Sequence, residues 1–266
     1  MVPQLQREFG GCAGNIAYNL HLLGEKPVPM ATVGHDFSQY SQHFSALGID
    51  QSCIRWIPDV YTAQAFITTD EDHNQIAAFH PGAMLYSDLT HVTDAQQITI
   101  GLVGPYSLAG ILQHADEFAQ AKIPFIFDPG QGLLLFDCNQ LRSVINLATY
   151  VIVNAYEAKL LQHRTNWSVQ TLAQRTSVYI VTDGAAGAHI HTPQNCYSVP
   201  AAQAKQVVDP TGCGDAFRAG WIFGLTQTDD WPTIGRIRNL MGAIALAHGG
   251  TQNHQLDRES FHRQFV

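Results

Sequence analysis

Charged residues are scarce in this chain of 266 residues, and several other features are absent. Only 14% of the residues are charged and 45% are apolar, which excludes a disordered chain. Lys and Arg total 14 against a net charge of −8, so the basic face that a nucleic-acid partner needs is lacking. No apolar run is long enough to cross a bilayer, and no signal-peptide pattern is present. We therefore expect a globular protein without nucleic-acid or membrane partners.

Cysteine pairs and histidine clusters are also missing. The five cysteines are scattered without any Cys-x-x-Cys pair, which predicts reduced thiols in a cytoplasmic protein. His189 and His191 form a His-x-His pair, but no third ligand stands at a typical metal spacing. The sequence thus favours neither a disulfide framework nor a histidine-bound metal. Low-complexity tracts, internal repeats and charge blocks are absent as well.

Short apolar, β-branched runs alternate with helical patterns from about residue 98 onward. The runs span residues 98–103, 123–128, 150–153 and 178–182. The helical patterns span residues 108–120, 138–147, 156–163 and 168–175. Runs that are this continuously apolar are typical of parallel strands buried on both faces. We therefore predict an α/β fold with a mostly parallel sheet flanked by helices.

The first 82 residues show a different pattern. Helices are predicted at residues 16–23 and 40–47, with a strand at 28–33 between them. Two β-like runs, residues 63–69 and 75–79, surround the polar turn 70–74 and predict a hairpin. A last helix is predicted at residues 257–265, after a polar segment.

The most informative segment is residues 209–220, which read DPTGCGDAFRAG. Small residues end a loop, Asp215 follows, and an apolar helical pattern begins at Ala216. The backbone amides of Gly212, Cys213 and Gly214 would then converge at a helix N-terminus, where an anion binds. Asp215 stands at the edge of that site, placed to take a proton from an attacking hydroxyl. Phosphoryl transfer to an alcohol needs both parts.

This segment resembles the C-terminal signature of the ribokinase-type (PfkB) carbohydrate and nucleoside kinases. Residues 10–17, which read GGCAGNIA, resemble the N-terminal signature of the same family. In that family the glycines, here Gly11, let the backbone approach the ribose, and the asparagine, here Asn15, hydrogen-bonds its hydroxyls. An asparagine at a helix start is equally suited to a capping role alone.

The resemblance implies one kinase domain, residues 1–266, with a ribokinase-like, Rossmann-type sandwich. A small β lid is expected at residues 1–9 and 60–82, and the α/β core at 10–59 and 83–266. Family members open with a strand that carries a sugar-binding aspartate before the Gly-Gly segment, and no such strand precedes Gly10. We therefore expect this N-terminal strand to be missing through truncation.

Further resemblances concern the nucleotide side of the site. Asn154 and Glu157 resemble the Asn-x-x-Glu motif that holds Mg²⁺ through water, although the same pair fits a capping box. Thr182 and Gly184 resemble a nucleotide-contacting turn. Residues 249–252 resemble the loop near the adenine and a monovalent cation such as K⁺. The residues expected to bind ATP are Asn154, Glu157, Thr182, Gly184, Thr211, Gly212 and Gly214.

Three features resemble the bacterial adenosine kinases in particular. They are the segment FHPGAM at residues 79–84, the segment DPGQ at 128–131, and Arg218 after the catalytic signature. An aromatic ring such as Phe79 stacks well on a purine. The implied substrate pocket comprises Gly11, Asn15, Phe79, Gln131 and Asp215.

Two positions depart from that group. The arginine expected a few residues after Gln131 is absent, which weakens the assignment to adenosine. Cys213 replaces the usual small apolar residue, and its place near a helix N-terminus predicts a lowered thiol pKa.

The function expected from the sequence is ATP-dependent phosphorylation of a nucleoside 5′-hydroxyl, with adenosine as the substrate. The expected cofactors are ATP and Mg²⁺, together with a monovalent cation such as K⁺. A homodimer is a candidate assembly. Two alternatives stay open: a sugar kinase of the same fold, and an inactive relative that binds nucleosides or nucleotides.

Overall fold

The computed structural model describes residues 5–69 and 75–265. The strands are β1 (Ala31–Val33), β2 (Ile54–Trp56), β3 (Gln64–Thr69), β4 (Gln75–His80), β5 (Gly101–Val103), β6 (Phe125–Phe127), β7 (Tyr150–Asn154), β8 (Val178–Thr182), β9 (Ala188–His191) and β10 (Cys196–Val199). The α-helices are α1 (Cys12–Leu22), α2 (Ser38–Leu47), α3 (Leu108–Ala121), α4 (Cys138–Leu147), α5 (Ala155–Thr165), α6 (Val169–Arg175), α7 (Cys213–Gln227), α8 (Trp231–Leu246) and α9 (Arg258–Phe265). In the described ranges, none of the helices is long and apolar enough to cross a membrane.

The central sheet has six strands in the order β10-β9-β8-β7-β6-β5. Strands β5 to β8 are parallel, and β9 and β10 continue the sheet antiparallel. Along β6, Phe125 and Phe127 pack into one hydrophobic cluster, and Ile126 packs into another on the opposite face. Both faces of the sheet are therefore buried, which explains the continuous apolar runs and confirms the predicted fold class.

Helices cover both faces of this sheet. Helices α3, α4, α5 and α6 contribute to the cluster that contains Phe125 and Phe127. Helices α1, α7, α8 and α9 contribute to the cluster on the other face. Since parallel strands end at the same edge, the residues that follow β6, β7 and β8 lie near one another at the edge where ligands bind in such folds.

Two smaller sheets lie outside the central one. Strands β1 and β2 pair parallel, and in the described part of the chain no strand precedes β1. Strands β3 and β4 form the predicted antiparallel hairpin, and its predicted turn, residues 70–74, lies outside the described residues. Residues 5–9, which the sequence assigns to the lid, contain no strand; the ring of Phe9 stacks on His43 of α2 at 4.4 Å.

Several elements were not predicted from the sequence. The largest is α8, although Asp230 caps it by accepting a hydrogen bond from the Thr233 amide at 3.0 Å, and a proline stands in its first turn. Strands β2, β9 and β10 were also missed, and α1 begins at Cys12 rather than at residue 16. These segments are short or lack a clean hydrophobic period, so pattern alone does not distinguish them.

Helix α7, which carries Asp215, is held against α8 by a close backbone approach. A Cβ atom built on Gly220 of α7 would lie 2.6 Å from the Cα of Arg238 on α8. Arg238 is buried, and its guanidinium lies 5.0 Å from the centre of the Phe217 ring. The position of α7, and with it that of the site, therefore depends on Gly220 having no side chain.

We predict that Gly220→Ala destabilises the protein. Helix propensity alone would make this change stabilising by about 1 kcal/mol, but a backbone contact at 2.6 Å forces α7 and α8 apart. Overpacking of this kind costs about 1–3 kcal/mol. Urea unfolding measures the difference, and an unchanged or higher midpoint would show that the helices separate without cost.

Candidate active site

Helix α7 begins at a residue with a left-handed backbone conformation, which favours glycine. Gly212 is its N-cap with a φ of 77°, and a Cβ at that position would lie 2.8 Å from Cγ2 of Thr251. The amide of Cys213 donates to the carbonyl oxygen of Pro210 at 3.2 Å. Within the described residues, the amides of Gly212, Gly214 and Asp215 make no backbone hydrogen bond. These three amides, rather than that of Cys213, are the free donors for an anion.

Asp209 holds the loop before α7 in place. Its carboxylate accepts hydrogen bonds from the amide of Thr211 at 2.9 Å and from the amide of Gly250 at 3.0 Å. Burial opposes ionisation, but these hydrogen bonds keep the pKa of Asp209 below its usual value. Asp209 therefore connects the anion loop to the segment that follows α8.

Asp215 lies in the first turn of α7 and contacts Asn15 of α1. The Nδ2 atom of Asn15 donates to Oδ2 of Asp215 at 2.7 Å, and Asn15 is buried. Burial raises the pKa of Asp215, and the Asn15 amide and the Arg218 guanidinium partly offset that rise. A carboxylate with a raised pKa is a stronger base, which suits proton removal from an alcohol.

An ion pair joins α7 to the carboxyl end of β6. Asp128 follows β6, and Arg218 stands one turn after Asp215. Nη2 of Arg218 donates to Oδ1 of Asp128 at 2.7 Å, and Nε donates to Oδ2, so the pair is bidentate. A Cβ at Gly214 would lie 2.7 Å from Nη1 of Arg218, which places the third guanidinium nitrogen directly beside the anion loop.

The Gly-Gly segment before α1 leaves open space next to its own backbone. Gly11 is the N-cap of α1 with a φ of 86°, and a Cβ built on Gly10 or Gly11 would meet no atom within 4 Å. A ligand therefore has room to approach the backbone there. Cys12 follows, and burial raises the pKa of its thiol, which stays protonated beside Asp215.

Asn154 and Glu157 form the capping box of α5. Oδ1 of Asn154 accepts from the Glu157 amide, and Oε2 of Glu157 accepts from the Asn154 amide, both at 2.8 Å. Burial raises the pKa of Glu157, and the charges of Asp128 and Arg218 are close enough to affect this pKa as well. Thr182 at the end of β8 is in register beside Asn154. Gly184 follows in an exposed 3-10 turn.

The capping box uses Oε2 of Glu157, and no side chain or amide of the described residues hydrogen-bonds to its Oε1. In the described ranges, no group of three or more His, Cys, Asp or Glu side chains could hold a metal directly. A buried carboxylate with one free oxygen and an excess of nearby negative charge fits Mg²⁺ held through water, the usual mode for this ion beside phosphates.

The remaining predicted pocket residues lie on the surface. Phe79 stands on β4 and is exposed. Gln131 lies in the 3-10 turn Gly130–Leu135 after β6 and is exposed as well. The prediction of a lowered thiol pKa at Cys213 is wrong, because burial and the nearby carboxylates of Asp209 and Asp215 raise this pKa to about 11.

Sequence reasoning missed a group of polar residues behind Asn15. Gln252 donates from Nε2 to Oδ1 of Asn15 at 2.9 Å and to the hydroxyl of Tyr40 at 2.5 Å. His43 contacts the other end of the Gln252 amide, with 3.0 Å between Nε2 and Oε1. Tyr40 and His43 belong to no motif, and Gln252 was assigned to a cation loop, so no local signal pointed to this cluster.

We predict that the Asp128–Arg218 pair behaves as a coupled unit in stability. Asp128→Asn leaves a largely buried guanidinium without its anion and should cost about 3–5 kcal/mol. The double variant Asp128→Asn, Arg218→Met removes both charges and should recover part of that loss. Urea unfolding of the two single variants and the double variant measures the coupling; losses that simply add would contradict it.

Comparisons with known proteins find similar sequences. A family model described as pfkB family carbohydrate kinase matches residues 1–258. The nucleoside kinase of Methanocaldococcus jannaschii is 28% identical over 256 residues, covering 95% of this chain and 84% of that protein. The ribokinase of Lactococcus lactis is 35% identical over 234 residues, covering 82% of this chain and 72% of that protein.

Solved structures extend the likeness. The nucleoside kinase of Burkholderia thailandensis in complex with inosine has a TM-score of 0.96 and 49% identity, covering 100% of this chain and 88% of that chain. A structure of the same enzyme in complex with ADP-inosine has a TM-score of 0.95. The ribokinase-like fold expected from the sequence is confirmed.

Proposed function

Because the chain belongs to the PfkB family of carbohydrate kinases, we propose that it transfers the γ-phosphoryl group of ATP to the 5′-hydroxyl of a purine nucleoside. The observation that carries the proposal is Asp215, a buried carboxylate hydrogen-bonded to Asn15 at the N-terminus of α7. Adenosine is the substrate that the sequence favours. Inosine is the second candidate, since a relative with 49% identity has been solved in complex with it.

The reaction needs a base, an anion cradle and a positive counter-charge. Asp215 takes the proton from the 5′-hydroxyl as its oxygen attacks the γ-phosphorus. The free amides of Gly212, Gly214 and Asp215, with the α7 dipole behind them, stabilise the negative charge that develops on the phosphoryl oxygens. Nη1 of Arg218 lies against Gly214 and adds a fixed cation to the same region. Asn15 holds the base through its hydrogen bond to Asp215.

Mg²⁺, when bound through water near Asn154 and Glu157, would neutralise charge on the ATP phosphates and orient them. Thr182 and Gly184 lie next to that position at the same edge of the sheet. The nucleotide side and the Asp215 side of the site are joined by the Asp128–Arg218 pair, so the phosphate chain would run between α5 and α7.

We predict that Asp215→Asn lowers kcat by about 10²- to 10⁴-fold, the usual contribution of a general base. ATP affinity should change little, because the amide keeps the shape and the Asn15 contact. Burial raises the pKa of Asp215, so kcat/KM of the wild type should fall as pH decreases through that raised pKa, where the base becomes protonated. The Asn variant should lack this acid limb.

Steady-state kinetics with a nucleoside and calorimetry with ATP measure these effects. Near-normal turnover by Asp215→Asn would reject Asp215 as the base. Tight binding of nucleoside by the wild type without any ADP formation would instead favour an inactive, nucleoside-binding relative.

The lid hairpin offers two aromatic side chains for a purine, one on each face. Phe79 is opposite Ala65 in the register, and Phe66 is opposite Ala78, so the two rings point to opposite faces. Phe79 is 59% exposed and Phe66 is 61% exposed, so each ring has apolar area that a ligand would bury. Gln64, on the face of Phe66, donates to Asp36 in the turn that follows β1.

We predict that Phe79→Ala raises KM for adenosine and inosine by roughly 5- to 150-fold, since stacking on a base contributes about 1–3 kcal/mol. KM for ribose, which has no base to stack, should not change. Phe66→Ala is the matched control and should leave both values unchanged.

A substrate panel of adenosine, inosine, guanosine and ribose, run on the wild type and both variants, tests this. If ribose or fructose is the best substrate of the wild type, the nucleoside assignment fails in favour of a sugar kinase. If only Phe66→Ala affects nucleosides, the other face of the hairpin covers the base.

A further inference from the structure

A chain of four polar side chains runs from His43 on α2 to Asp215 on α7. The three contacts are His43 Nε2 to Gln252 Oε1 at 3.0 Å, Gln252 Nε2 to Asn15 Oδ1 at 2.9 Å, and Asn15 Nδ2 to Asp215 Oδ2 at 2.7 Å. Asn15 and Gln252 are 3% and 5% exposed, so water is largely unavailable to replace these contacts.

The order of donors and acceptors along this chain of side chains is set by Asp215 at its end. An ionised carboxylate has no proton to donate, so Asn15 must turn its Nδ2 toward Asp215 and its Oδ1 away. Oδ1 then needs a donor, and among the described residues the Nε2 side of the Gln252 amide alone supplies one. Oε1 of Gln252 in turn faces His43, whose Nε2 must carry a proton. Each amide is therefore fixed in one of its two orientations by its neighbours.

Two further contacts hold the chain in place. The second hydrogen of Gln252 Nε2 goes to the Tyr40 hydroxyl, and that hydroxyl donates to the carbonyl oxygen of Gly10 at 2.9 Å. The ring of His43 stacks on Phe9. The chain is thus tied to Phe9 and to the first glycine of the Gly-Gly segment, on the proposed substrate side of the site.

We propose that Gln252, supported by His43, is a positioning residue that locks the Asn15 amide with its donor toward Asp215 and so keeps the base ionised and aimed at the substrate hydroxyl. The chemical role rests on the proposed function, in which Asp215 is the base. The positioning role itself concerns the ionisation of Asp215 and can be measured without turnover.

Other titratable groups also surround Asp215. They are Arg218 and Cys213 on α7, Asp128 after β6, Cys12 on α1 and Tyr40 on α2. Gln252→Met and the substitutions of His43 leave these side chains in place and add no negative charge, although Gln252→Met also removes the contact with the Tyr40 hydroxyl. A shift in the Asp215 titration in these variants therefore reports on the Asn15 amide, whereas in Gln252→Glu the added carboxylate also raises the pKa of Asp215 by its charge.

The direct test uses two variants of Gln252. Gln252→Met removes the donor at nearly constant volume, and Gln252→Glu puts an acceptor where Asn15 needs a donor. The new carboxylate should turn the Asn15 amide around and bring its Oδ1 against Asp215. We expect the pKa of Asp215 to rise by about one unit in the Met variant and by more in the Glu variant, which lowers kcat/KM about tenfold or more on the acid side of the profile.

Carbon-13 NMR of the aspartate carboxyl groups, with Asp215→Asn to assign the signal, measures this pKa directly. His43→Phe should shift it in the same direction by less, and His43→Gln, which keeps a donor, should restore the wild-type value. Asn253→Ala is the matched control, because Asn253 is an exposed amide in the same loop that bonds to Glu8 and Gly249.

Three results separate the possibilities. An unchanged Asp215 titration in both Gln252 variants overturns the proposal, even if their stability falls. In an Asn15→Leu background, Gln252→Met should have no further effect on the titration; an additive effect would show that Gln252 does not act through Asn15. If the titration shifts as expected but the wild type phosphorylates no nucleoside, the positioning role stands and the proposed function fails.

Discussion

A carboxylate that must stay ionised while largely buried is the constraint on which this site depends. Removal from water favours the neutral form of Asp215, and a neutral acid cannot take a proton from an alcohol. The groups that oppose this come from separate segments: Asn15 from α1, and Arg218 from α7. Because Asn15 and Asp215 are 200 residues apart, their contact forms only when α1 and α7 pack side by side on the sheet, and the proposed role of Asp215 as base depends on that packing. The close contact of α7 with α8 at Gly220 serves the same end, since it sets where the first turn of α7 lies.

The residues that begin helices α5 and α7 are also those that we propose bind the phosphates and the hydrated cation. Gly212 starts α7 without a capping side chain and so leaves amides free for an anion. Asn154 and Glu157 start α5 with a complete capping box, which uses one oxygen of each and leaves one carboxylate oxygen of Glu157. The two helix starts thus differ in charge preference: one offers donors to phosphate oxygens, the other an acceptor to a hydrated cation. Their placement at one edge of a parallel sheet brings both preferences to the same ligand.

The sequence predicted the parts of this arrangement that obey local rules. Gly212 to Asp215, the Asn154–Glu157 pair and the lid hairpin each belong to a single turn or a pair of adjacent strands, where residue type and spacing carry the information. The contacts of Gln252 with Asn15 and His43 join residues more than 200 positions apart and depend on side-chain geometry, so no spacing rule reveals them. The predicted pKa shift of Cys213 was wrong for a related reason. The position of Cys213 at a helix start is visible in the sequence, but its burial, which has the largest effect on the pKa, is a property of the packed chain.

The hairpin β3–β4 adds a different constraint, because it pairs with no other strand in the described residues and carries apolar side chains on both faces. A two-stranded hairpin is marginally stable by itself. The open end of the hairpin is held by hydrogen bonds that the Thr62 amide and the Gln64 side chain donate to Asp36. Phe66 and Phe79 are exposed. A flat ligand that covered one ring would bury apolar area that nothing else in the described chain buries. The order of the hairpin and the binding of an aromatic base would then favour each other, whereas a small polar sugar would gain far less from the same surface.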